Sequence, residues 1–297
     1  MLASTLGTPL TDPLGRALVE AGAGRRGALH DLLTRGSRLP GPRMNEDLAE
    51  AFAQACRARG PAADAVALSL ARLSADEAPG GTASEFLPVC GVVALGARAA
   101  GDPVERARVL HELHARADDL RFRVRDAVVD ALARIGAAAG DDLVREVSSW
   151  MDGYFHAAAV VRALEREDWL SSIREAQPVV ERLDEAFVLV RDAPRAAARW
   201  PGHKALLEAL AKAPAAVAAR LGVPIFDMLV RWAQTRDPAL REVVSSAIGS
   251  KRLAGRLGPE VRRVEAALQA SKAAPRNPDH DHGPSRDRSK NRRRGRR

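Results

Sequence analysis

Apolar residues along this chain recur at intervals of three and four, and alternation with period two is almost absent, so the pattern predicts helix nearly throughout. The clearest stretch is 121–136, RFRVRDAVVDALARIG. There Phe122, Val124, Val128, Ala131, Leu132 and Ile135 fall mostly on one face, Arg123, Arg125, Asp126 and Asp130 fall largely on others, and Gly136 is placed to stop the helix. A related pattern recurs at 237–253. Leu240 superposes on Val124, Arg241 on Arg125, Val244 on Val128, Ala247 on Ala131 and Ile248 on Leu132. Asp102-Pro103 and Asp237-Pro238 are helix starts, with Asp as N-cap and Pro at the first helical position, and Asn45 caps a helix entered from a Pro-Gly-Pro turn. The remaining blocks are about 10 to 16 residues each, separated by Gly, Pro or Asp turns. Short amphipathic helices bury one face apiece and need stacked neighbours, which is the physics of an α-solenoid.

The Val124-Arg125, Val128, Ala131-Leu132 core, preceded by an Asp turn, resembles the second helix of HEAT repeats, and its echo at 237–253 resembles it more distantly. The resemblance implies an all-α, HEAT-like right-handed α-solenoid of stacked antiparallel helix pairs. Three regions are expected: a less regular helical region at 1–83, HEAT-like repeats at 84–270, and a disordered basic tail at 271–297. The loop SADEAPGGTAS, 74–84, marks the first boundary.

Charge changes the picture mainly at the C-terminus. The 297-residue chain has a net charge of +8. Residues 271–297 carry ten basic and three acidic groups, which leaves the body close to neutral. From Ser271 onward no periodic apolar residue remains, so that segment is expected to be disordered and to contact phosphate without sequence preference. The candidate nucleic-acid-binding residues are Lys251, Arg252, Arg256, Arg262 and Arg263 in the body and Arg292, Arg293, Arg294, Arg296 and Arg297 in the tail. No aromatic residue is interleaved in the tail, so single-strand recognition by base stacking is not indicated. Lysines number only five among 46 basic residues, a skew that GC-rich codon usage produces by itself and that discounts arginine clusters as functional evidence. Cys56 and Cys90 sit among apolar neighbours, read as buried structural thiols, and fit a reducing compartment. The N-terminus does not read as a secretory signal, no stretch approaches the length of a membrane-spanning helix, and the expected location is cytoplasmic.

Candidate chemistry is sparse. Gly22 to Gly27 spells GxGxxG, but it follows an apparent helix where a dinucleotide fold requires a strand. His111 and His114 lie three apart, whereas a zincin helix needs four with Glu beside the first, so they read as solvated or packing residues. Asp279-His280-Asp281-His282 has the composition of a weak, adventitious divalent-ion site. A nucleophile elbow, a Walker loop and a Cys-x-x-Cys pair are all missing from the sequence. No cofactor and no dedicated metal site is expected. Trp150, Asp152 and Tyr154, with Trp169 following, form the densest aromatic and acidic cluster. HEAT-like DNA glycosylases use tryptophans, an acidic residue and arginines to hold a cationic damaged base, and Trp150 and Asp152 are the residues that this alternative would employ. The leading expectation is a non-enzymatic interaction module that holds a protein or nucleic-acid partner and is anchored by the tail.

Overall fold

A computed structural model describes residues 12–253, 255 and 257–273 of the chain. Among them are fifteen α-helices and no strand. The first four are α1 (Pro13–Gly22), α2 (Gly27–Gly36), α3 (Glu46–Arg59) and α4 (Pro61–Ala71). They are followed by α5 (Phe86–Gly101), α6 (Pro103–Ala117), α7 (Phe122–Ala139), α8 (Asp141–Glu146), α9 (Tyr154–Leu164) and α10 (Glu167–Ser172). The last five are α11 (Ala176–Arg191), α12 (Pro201–Leu221), α13 (Val223–Ala233), α14 (Pro238–Ile248) and α15 (Gly258–Ala273). The all-α class inferred from periodicity is therefore what the described residues adopt.

Local chemistry explains where these helices start. Asp102 and Asp237 accept hydrogen bonds from Val104 N–H (3.0 Å) and Ala239 N–H (2.8 Å), and Asp12, before Pro13, caps α1 in the same way through Leu14 N–H at 3.1 Å. Asn45 accepts from Leu48 N–H at 3.2 Å and opens α3. The GxGxxG segment spans the junction of two helices, with Gly22 ending α1, Gly27 opening α2 and Gly24 in the turn between them at φ +90°.

Two details of the pattern are corrected. α7 does not stop at Gly136. It continues to Ala139 and ends at Gly140, whose φ of +57° suits glycine. Gly136 is instead a contact point: a Cβ there would lie 2.2 Å from the Trp169 indole of α10. Phe122, placed on the core face by spacing, is 53% exposed at the first position of α7, with the Arg123 guanidinium over its ring. The rest of that face is buried, as are its counterparts Leu240, Val244, Ala247 and Ile248 in α14.

The helices pack in two successions. In one, α3, α5, α7, α9, α12 and α14 each lie against the next. In the other, ion pairs link each helix to its successor: Arg72 at the end of α4 to Glu112 of α6, Arg106 of α6 to Glu146 of α8, and Arg145 of α8 to Glu175 at the start of α11. Asp184 of α11 then pairs with Arg231 of α13, and Asp227 of α13 with Arg263 of α15. The partners are 40, 40, 30, 47 and 36 residues apart.

The buried apolar residues form two clusters that meet across α5, with Phe86, Leu87 and Cys90 in the N-terminal one and Val89, Val92 and Leu95 in the larger one. This explains a departure from expectation. Residues Ala83–Gly101 are long and apolar enough to cross a membrane, with a mean hydropathy of 1.3, but 72% of that stretch is buried inside the fold, where a helix serving two cores has apolar residues all round. The 74–84 loop precedes α5 and is pinned to α7 by Arg121, which donates to the carbonyls of Leu73, Ser74 and Ala78. At the other end, helix continues past residue 270 to Ala273, and the rest of the expected disordered tail lies outside the described residues.

Candidate functional site

The best-furnished cleft lies between α6 and the segment that follows α8. Val109, Leu110, Leu113 and Ala117 of α6 turn inward, which leaves His111 and His114 on the flank of that face. Across from them, Leu143, Val144, Val147 and Trp150 continue an apolar stripe from α8 through the 3-10 turn Val147–Trp150. The cleft is about 600 Å3, and its walls include Arg106, His111, His114, Glu146, Trp150 and Asp152.

Three side chains converge at its edge. His114 Nε2 lies 3.1 Å from both carboxylate oxygens of Asp152, and His156 Nδ1, one helical turn beyond Asp152, lies 2.8 Å from Oδ1. The two imidazoles are stacked, with centroids 3.8 Å apart and planes 28° apart, and the Trp150 and His114 rings form a T-shaped pair with centroids 5.2 Å apart. Each imidazole donates to the carboxylate when that nitrogen carries the proton. Partial burial alone would raise the Asp152 carboxyl, but the hydrogen bonds from His114 and His156 hold it below its ordinary value. Gly153 makes the turn possible: a Cβ there would lie 2.7 Å from His156 Nδ1, so any larger residue would push the ring off Asp152. Two imidazole nitrogens and a carboxylate, with ligand atoms all within 4.8 Å of one another, form a donor set able to hold a divalent ion.

The expected aromatic cluster is dispersed. Trp150 is only 2% exposed and belongs to the core, whereas Asp152 is exposed at the cleft edge. Tyr154 faces Trp200 and His203, and Trp169 is buried beside Gly136 with its indole N–H donating to Gly140 O at 3.1 Å. His111 lines the cleft without joining the convergent trio, while His114 has partners 38 and 42 residues away. Sequence spacing offers no signal for His156 beyond its position four residues after Asp152.

The candidate phosphate-binding residues are also divided. Arg263 is paired with Asp227 (2.7 Å) and Glu260, and Arg252 approaches Glu165 at 3.9 Å. Lys251 is exposed, and Arg262 lines a groove of about 800 Å3 between α14 and α15 in which Glu242 and Glu265 offset Arg241. Arg256, Arg292, Arg293, Arg294, Arg296 and Arg297, together with Asp279-His280-Asp281-His282, lie outside the described residues. Both thiols are buried and free. Burial pushes Cys56 up to about 12 and Cys90 well above its ordinary value, so neither is a nucleophile at neutral pH.

No protein-family model matches the chain, and no curated protein matches it in sequence.

Proposed function

We propose that this chain is a non-enzymatic helical-repeat interaction protein, a HEAT-like right-handed solenoid whose helical surface holds a protein or nucleic-acid partner and whose basic tail adds phosphate contact. The observation that carries this reading is the series of ion pairs joining each helix of one row to the next. Its steps of 30 to 47 residues bracket the repeat length of HEAT and armadillo arrays. Repeats stacked this way touch chiefly their neighbours and present long, continuous faces, the usual platform for macromolecular partners. The arginines in those pairs face carboxylates of the same molecule, which leaves non-specific phosphate contact mainly to the tail. Buried free thiols fit a cytoplasmic location.

A base-excising enzyme of similar architecture would need an indole face open to a flipped base. Trp150 is packed in the core, and Asp152 is engaged by two histidines. The test is incubation of the full chain with an alkylated DNA duplex, followed by chromatography for free base. No release above the protein-free control is expected. Release that disappears in Asp152→Asn would overturn the non-enzymatic reading.

A further inference from the structure

We propose that His114, Asp152 and His156 form a binding site for one divalent transition-metal ion, with zinc as the best-matched occupant. This inference is independent of the proposed function.

The donor set favours zinc on chemical grounds. Imidazole nitrogen suits zinc, copper, iron and nickel, whereas magnesium and calcium prefer sites built wholly of oxygen. Ligands at roughly 2.0–2.2 Å from a tetrahedral zinc stand about 3.3–3.5 Å from one another. The observed separations of 2.8 and 3.1 Å between the carboxylate and the two imidazole nitrogens are already close to that spacing. Both imidazoles present a ring nitrogen to the same carboxylate, and because rings bound to a tetrahedral ion diverge, metal entry splays the stacked pair about those nitrogens.

Access and support are also in place. His114 and Asp152 face the 600 Å3 cleft, while His156 lines a second groove of about 320 Å3 with Tyr154, Phe155 and Trp200. The cluster therefore sits between two surface clefts. Three protein ligands leave a fourth position for water or for a donor from a partner. Trp150 buttresses His114, and Gly153 lets His156 fold back on Asp152. An ion here would pin the last turn of α6 to the first turn of α9 and so bridge two successive helix pairs.

The test uses the full chain carrying His280→Ala and His282→Ala, which removes the tail histidines as competing ligands. Zinc is titrated into chelator-stripped protein by calorimetry, and cobalt(II) is added separately because its visible absorption reports coordination number. The expected result is one zinc per folded chain and an intense, low-coordinate cobalt spectrum. Each of His114→Ala, His156→Ala and Asp152→Asn should weaken zinc binding at least about 100-fold, the upper end of the effect of altering a supporting group around a metal. Asp152→Asn preserves volume and keeps one acceptor oxygen for the histidines, so it remains informative if a histidine variant fails to fold. The proposal is overturned if micromolar folded protein takes up no zinc. It is equally overturned if the three variants bind as the parent does, or if the urea-unfolded chain binds as tightly as the folded one.

Discussion

Arg121 shows how much a single side chain can organise. It is 4% exposed, and all five of its guanidinium donors are used: Nε and one Nη2 hydrogen on Asp119, two Nη1 hydrogens on the carbonyls of Ser74 and Ala78, and the last on Leu73 O. Arg121→Met would keep the stem but strip the nearly buried Asp119 carboxylate of its counter-charge and three carbonyls of a donor, with Ser74 O keeping Ala78 N–H and Asp119 keeping the residue-121 N–H. A loss of about 3–5 kcal/mol is expected, read as a lower urea midpoint at unchanged slope. His203 makes a second residue-scale case. It is buried against the Tyr154 ring with Nδ1 unpartnered, and burial lowers its pKa while Asp237 opposes that shift. Below the unfolded value of 6.5 the unfolded chain takes up a proton that the folded chain resists. Its contribution is therefore fully present above that pH and is lost as pH falls through the depressed folded value. Thermal melts from about pH 7.5 to about pH 5 should show a shallower acid decline for His203→Gln than for the parent. An unchanged decline would assign the acid sensitivity to other groups.

At the scale of elements, α7 separates what local pattern can tell from what it cannot. Its buried face was legible because a 3.6-residue period is written directly into the chain. The role of Gly136 was not, because a glycine late in a helix reads as a stop unless the indole of Trp169, 33 residues away, is known to lie against it. Gly136→Ala should destabilise the protein by about 1–3 kcal/mol, since the added methyl must displace a fully buried ring, and the fall in melting temperature measures it. An unchanged melting temperature would show that α10 yields freely. Pro214 is the opposite case. It lies inside α12 without ending it, because packing on α9 and α14 outweighs one lost hydrogen bond. The apolarity of α5 likewise acquires its meaning only from the two cores it joins.

The histidine cluster becomes visible only in the whole molecule. His114, Asp152 and His156 come from α6, a turn and α9, and no local spacing announces them. The same scale changes the meaning of the arginines. Composition made them a discounted hint of nucleic acid, whereas the fold shows many of them spanning neighbouring helices, with Arg252 and Arg263 among those facing carboxylates. Under the proposed reading, phosphate contact falls chiefly to the C-terminal arginines, which divides the molecule into a largely neutralised body and a basic end. The most direct test is fluorescence anisotropy of a labelled DNA duplex across a salt series. It compares the full chain with a full-length variant carrying Gln at Arg292, Arg293, Arg294, Arg296 and Arg297. Each phosphate neutralised contributes roughly −0.9 to the slope of log affinity against log salt. The parent is expected to bind with a steep slope, and the variant to lose both most of the affinity and several units of slope. A variant that binds with the parent's affinity and slope would contradict this division and place the phosphate-binding surface on the helical body.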